Sequence, residues 1–158
     1  MGCDPEESAI RIAENNAKNV VFKVLGVYDD PLELGSHLFD TVVACEVIEH
    51  LFLPRALPSF AHKVLKRRGY FIITTPHYGS YSKNLISSFL NKWDDHFTTL
   101  WDGGHVKFWS LNTLQTILDE AGFDIVSHYT VNRISRLLRF IWPNNIVIIA
   151  QKNDLIQT

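Results

Sequence analysis

Three residues in one short stretch combine the types needed for acid, base or cation chemistry. Glu46, Glu49 and His50 stand at i, i+3 and i+4, so a helical turn starting at the first of them puts all three on one face. Two carboxylates and an imidazole so placed could hold magnesium, manganese or zinc. A bound cation would polarise a substrate hydroxyl and lower its pKa. An imidazole ordinarily titrates near neutrality, and this residue type suits a general base acting without metal. The plainer alternative leaves Glu49 solvated and His50 as a cap or packing residue.

Elements that position such a cluster are legible on both sides of it. Phe39 to Cys45 is a short, nearly continuous apolar run, the pattern of a central strand covered on both faces. Before it, Asp4 as N-cap and Pro5 at the first helical position predict a helix over Pro5 to Asn16. The β-branched run Val20 to Val27 predicts a strand stopped by the turn residues Tyr28-Asp29-Asp30-Pro31. After it, Pro54 to Arg68 has helical spacing and closes on Lys66, Arg67, Arg68 and Gly69. Tyr70 to Thr75 is strand-like and is stopped by Pro76. An aromatic, cap-like insertion follows at about residues 77–109. Ser110 to Ala121 carries an N-cap serine, one apolar face and a terminal Gly122. Asp124 to Val131 and Asn145 to Gln151 are two final strands, joined through Arg133 to Pro143.

Strand and helix in alternation predict an α/β fold with a mostly parallel sheet, in which ligands bind beyond the carboxyl ends of the strands. Tyr28-Asp29, Cys45-Glu46 and Thr75-Pro76 fall along that rim. The length of 158 residues, with 46% hydrophobic residues, suits one domain with a sizeable core. A formal charge of -2 supplies no positive field for nucleic acid. Cys3 and Cys45 are too few and too far apart for a disulfide framework or thiolate zinc site. No apolar run approaches the roughly 18 residues of a membrane span. The acidic N-terminus does not read as a signal peptide, so a cytoplasmic location is expected.

Four stretches carry a family resemblance. They are Gly2-Cys3-Asp4-Pro5-Glu6-Glu7, Phe39-Asp40-Thr41-Val42-Val43-Ala44-Cys45-Glu46-Val47-Ile48-Glu49-His50-Leu51, Val64 to Pro76, and Gly104-His105-Val106-Lys107-Phe108-Trp109-Ser110 leading into Ala121-Gly122-Phe123. Together they resemble class I S-adenosylmethionine-dependent methyltransferases, in the branch of the ubiquinone-biosynthesis O-methyltransferases. The resemblance implies a Rossmann-like α/β sheet, mostly parallel with a C-terminal antiparallel strand. It implies methyl transfer to a small-molecule acceptor, most readily an oxygen. It also implies that the family's first strand, glycine-rich cofactor loop and following helix would precede Met1. The expectation is therefore a single, N-terminally truncated domain over residues 1–158, able to associate through exposed sheet edges.

Under the same resemblance Asp4 binds the cofactor ribose, Tyr28 and Asp29 meet the adenine, and Cys45 and Glu46 border the cofactor. The Glu-x-x-Glu-His pattern is similar to the metal site of small-RNA 2′-O-methyltransferases, with His105 as the matching later histidine. Glu46, Glu49, His50 and His105 are thus the candidate ligands of a magnesium or zinc ion. His50, His105 and Glu49 are the candidate catalytic groups. Tyr78, Tyr81, Trp93, His96, Phe97, Trp101 and Trp109 form an aromatic stretch from which two or three would touch substrate. Two rival readings are a catalytically silent methyltransferase-fold module acting through partners and, ranked last, a nicotinamide dehydrogenase, which lacks its Gly-x-Gly-x-x-Gly turn.

Overall fold

A computed structural model describes residues 1–35, 39–92, 100–131 and 144–153. The chain divides into two compact units, residues 1–38 and 39–158.

In the first unit, strand β1 (Gly2–Asp4) leads into helix α1 (Glu7–Asn16) and strand β2 (Phe22–Val24), which pairs parallel with β1. Helix α1 begins later than the Asp4-Pro5 signal predicts. Glu6, in extended backbone, is the N-cap and accepts from the Ser8 N–H, while Asp4 accepts from the Glu6 N–H at 2.8 Å. The acidic run offers two competing caps, and the strand that holds Asp4 decides between them. The predicted strand over Val20 to Val27 shortens to three residues. Beyond it the chain turns through Gly26 to Asp29 and a 3-10 segment, Pro31–Leu34, capped by Asp30.

The second unit is built on a four-stranded sheet in the order β3-β4-β6-β5. Its strands are β3 (Phe39–Cys45), β4 (Leu65–Pro76), β5 (Phe123–Val131) and β6 (Asn145–Lys152). β3 pairs parallel with β4, and β6 is antiparallel to both β4 and β5, so β6 alone runs against the other three. This is the mixed α/β sheet that the resemblance implies. Helices α2 (Ala56–Val64), α3 (Tyr81–Phe89) and α4 (Leu111–Glu120) complete the unit.

Alternation along the strands sets the core. Phe71, Ile73 and Thr75 of β4 and Ile146, Ile148 and Ala150 of β6 are fully buried, as are Ala61 of α2 and Leu114 and Leu118 of α4. Period 2 on the strands and the i, i+4 spacing of Leu114 and Leu118 are the two periodicities needed to bring these faces into one layer.

In the second unit the end of one predicted helix moves, and one strand lies in a different environment from the one predicted. Lys66-Arg67-Arg68 is not the last turn of a helix, because α2 ends at Val64 and the basic residues enter β4. The register passes from Phe39↔Leu65 to Thr41↔Tyr70, and Arg68 has φ +57, so the three charges leave the ladder as an exposed bulge. The Lys152 ammonium donates to the carbonyls of His62 and Leu65 at 2.6 and 3.0 Å, supplying the cation that a helix C-terminus favours. β3, predicted to be covered on both faces, is the edge of its sheet. Only Ala44 of its residues is buried and Val43 is 59% exposed. β1 and β3 each have one edge without a strand partner among the described residues.

Helix α4 follows its prediction closely. Ser110 Oγ accepts from the Thr113 N–H at 3.3 Å and Thr113 Oγ1 accepts from the Ser110 N–H at 3.0 Å, a reciprocal cap. At the other end Gly122 takes φ +83, a conformation costly for any residue with a Cβ. Ser110→Ala is expected to lower stability by about 1 kcal/mol, the usual cost of a lost N-cap. Urea denaturation measured beside the parent chain checks it, with an unchanged midpoint as the contrary result.

Candidate active site

The second unit brings together three of the residues singled out by type and spacing. β3 delivers the chain to Cys45, and Glu46 then adopts φ +54, turning the backbone sharply while its N–H still donates to the Thr74 carbonyl at 3.1 Å. A single 3-10 turn, Ile48–His50, follows. Ile48 is fully buried and anchors it, and Glu49 is drawn in with no exposed surface. Glu49 Oε2 accepts from the buried Thr75 hydroxyl at 2.9 Å. The Glu49 carbonyl accepts from the N–H groups of Val106 and Lys107 at 2.9 and 3.0 Å, which ties the loop carrying His105 to the turn.

Ligand atoms of Glu49, His50 and His105 all lie within 4.8 Å of one another. The two imidazole centroids are 4.9 Å apart at 77°, and His50 Nε2 lies 4.0 Å from Glu49 Oε1. Trp101 meets the His50 ring edge-on at 5.7 Å.

Glu46 does not join this group. A left-handed residue followed by a 3-10 turn breaks the continuous helical face that its i, i+3, i+4 spacing presumed. Its Oε1 instead accepts from Thr74 Oγ1 at 2.8 Å and Asn145 Nδ2 at 2.9 Å. Cys45 is an exposed free thiol at the end of β3.

The electrostatics follow from burial. Leaving water pushes the Glu49 carboxyl above its ordinary range, and the Glu46 charge adds to this against the opposing Thr75 hydrogen bond. Burial holds the His105 imidazole below its usual value, helped by neighbouring His50. The Tyr78 phenol is pushed up to about 12 by burial and then by the charges of Glu49 and Glu46. Glu49 Oε1 is buried with no hydrogen-bond partner among the described residues. A buried carboxylate oxygen is costly unless it meets a proton, a donor or a cation. A carboxylate and two imidazoles can supply that by holding a proton in transit or by coordinating a divalent ion.

In the first unit, the carboxyl ends of β1 and β2 place Asp4 beside Val24 and the following turn. Leu25 N–H donates to the Asp4 carbonyl at 3.0 Å, and Asp29 Oδ2 accepts from the Gly26 N–H at 2.7 Å. Tyr28 is 55% exposed. Asp4, Tyr28 and Asp29 thus share one end of the two-stranded sheet.

Of the aromatic stretch, Tyr78 reaches the cluster by a hydrogen bond between its hydroxyl and His105 Nδ1, and Trp101 does so through His50. Tyr81 is exposed and Trp109 is buried. Trp93, His96 and Phe97 lie outside the described residues, as does the connection Arg133 to Pro143. Thr75 and Asn145 are contributors that sequence reasoning missed as side chains. Thr75 had a signal in its rim position, and Asn145 had none.

Comparison with known proteins adds a family. A methyltransferase-domain family model matches residues 1–128. No curated protein matches the chain. Among solved structures, one similar chain comes from the complex between the Haloferax volcanii Trm112 methyltransferase activator and a protein described as a methyltransferase. It has TM-score 0.74 and 14% identity, with 99% of this chain and 72% of that chain covered. Magnesium protoporphyrin IX methyltransferase from Synechocystis PCC 6803, with bound SAH, has TM-score 0.63 and 17% identity, covering 96% of this chain and 63% of that one. A SAM-dependent methyltransferase from Methanosarcina mazei has TM-score 0.66 and 20% identity, covering 96% and 81%. At these identities the likeness to solved structures is one of fold. The family match covers most of the sequence, and on it the chain belongs to the methyltransferase-domain family.

Proposed function

We propose that this protein transfers a methyl group from S-adenosylmethionine to an oxygen of a small molecule, with Glu49, His50 and His105 gathered at the acceptor. The observation that carries the reading is the buried Glu49 carboxylate, one oxygen of which has no hydrogen-bond partner among the described residues and faces His50 within a cluster of two imidazoles. The acceptor oxygen attacks the methyl carbon in line, the carbon–sulfur bond breaks, and S-adenosylhomocysteine leaves as the acceptor proton passes to a base. Positioning and deprotonation are then the protein's main tasks. His105, whose pKa burial lowers, suits the base, and Glu49 would stabilise the imidazolium formed. The same three side chains fit a divalent ion such as magnesium or zinc, which when bound would lower the pKa of the acceptor hydroxyl.

Asp4, Tyr28 and Asp29 would hold the ribose and adenine of the cofactor. The bound SAH of the Synechocystis relative supports a cofactor of this kind. The family match runs through both compact units, which supports reading them as one methyltransferase domain. Among the described residues no helix is long and apolar enough to cross a membrane.

Calorimetric titration of S-adenosylhomocysteine tests the reading. The parent chain is expected to bind, and Asp4→Ala to bind about 10–100-fold more weakly, the loss of hydrogen bonds to a charged group. Absence of binding both by the parent and by a chain extended upstream with the glycine-rich loop would overturn the reading in favour of a silent module acting through partners.

A further inference from the structure

His105 can serve the cluster only if one particular ring nitrogen has a free lone pair. Its Nδ1 is taken by the Tyr78 hydroxyl, so Nε2 is the nitrogen left for a base or a ligand. A neutral imidazole carries one N–H, and the hydrogen bond at one nitrogen selects which. Nε2 is free only when Nδ1 bears the proton and the phenol oxygen accepts it.

Tyr78 is unusually well fixed for that task. It lies two residues beyond β4, where its N–H donates to the Trp109 carbonyl at 2.8 Å and its own carbonyl accepts from Asn84 Nδ2 at 2.9 Å. Its ring packs edge-on against Phe108 at 5.1 Å. The backbone on the far side of His105 is pinned separately, through Val106 and Lys107 to the Glu49 carbonyl. The imidazole is thus anchored from two sides, at Nδ1 by Tyr78 and through the neighbouring backbone by Glu49.

We infer that Tyr78 is a positioning residue that accepts the Nδ1–H of His105 and presents the Nε2 lone pair to Glu49, His50 and whatever they bind. The inference rests on the proposed role of His105 but not on whether the cluster uses a proton or a cation. Outer partners of this kind orient a ligating histidine, and their removal usually costs 10–100-fold in metal affinity.

Long-range proton–nitrogen NMR of the imidazoles, at a pH where His105 is neutral, reads the tautomer directly. The expected result is Nδ1–H in the parent and a shift toward Nε2–H in Tyr78→Phe, which keeps the ring against Phe108. Calorimetry with zinc chloride is the companion measurement, with Tyr78→Phe expected to bind about 10–100-fold more weakly than the parent. Nε2–H in the parent, or wild-type zinc affinity in a folded Tyr78→Phe variant, overturns the inference. A parent that shows Nδ1–H yet takes up no zinc defeats the cation and supports Tyr78 as the support of a base.

Discussion

Glu49→Gln is expected to lower the rate of methyl transfer by about 10²–10⁴-fold, the usual range for a positioned acid–base group, without destabilising the protein. The substitution keeps the shape of the side chain and its acceptor for the Thr75 hydroxyl. It removes the charge that would stabilise a protonated imidazole or hold a cation. Stability should move the other way or not at all, because a buried charge without a partner costs more than a neutral amide in the same place. The pH dependence follows from the raised Glu49 pKa. Folded chains keep a proton that unfolded chains release. The contribution of Glu49 is therefore fully present below the unfolded-state value and is lost as pH rises through the folded one. Across that window the parent should lose stability relative to Glu49→Gln, and the two should converge at more acid pH. Turnover with labelled S-adenosylmethionine and urea unfolding over a pH series check both parts. A variant with parental turnover would remove Glu49 from the mechanism.

The sequence singles out Glu49 and His50 but does not show why Glu46 stays apart from them. Spacing at i, i+3 and i+4 is a statement about a regular helix, and residue types alone do not announce a left-handed glutamate followed by one 3-10 turn. His105 became legible only through family likeness, since 55 residues separate it from His50 and its approach depends on backbone bonds to Glu49. Helix α4 was fully legible because its cap, apolar face and terminal glycine are all local signals. The end of α2 was not. Lys66 to Arg68 make a good last helical turn in isolation, and a strand pairing and Lys152, far along the chain, decide otherwise. β3 reads as a central strand from its apolar content, but exposure depends on its neighbours. Local chemistry was thus recoverable where it acts over three or four residues, and lost where a long-range pairing overrides it.

Phe71→Ala should produce the largest loss of stability and the smallest loss of chemistry per folded molecule. Phe71 is fully buried in β4, between Val42 of β3 and Ala150 of β6, with its ring 5.4 Å from that of Phe123. Truncating a buried phenylalanine typically costs about 3–5 kcal/mol, through lost transfer energy and the cavity left behind. Domains commonly hold about 5–15 kcal/mol in total, so the unfolding midpoint should fall steeply. Yet Phe71 touches none of the groups that meet the acceptor in the proposed mechanism. β4 brings Thr74 and Thr75 to the site from further along the same strand, held by their own pairings to Cys45 and to Val147 and Ile146. Turnover normalised to the folded fraction should therefore stay within a few-fold of the parent, at a temperature and denaturant concentration where the variant is folded. Glu49→Gln is the mirror image, with turnover lost and the midpoint kept. If Phe71→Ala lost turnover as severely as stability, the site would depend on the packing of the whole sheet, and Glu49, His50 and His105 alone would not account for the rate.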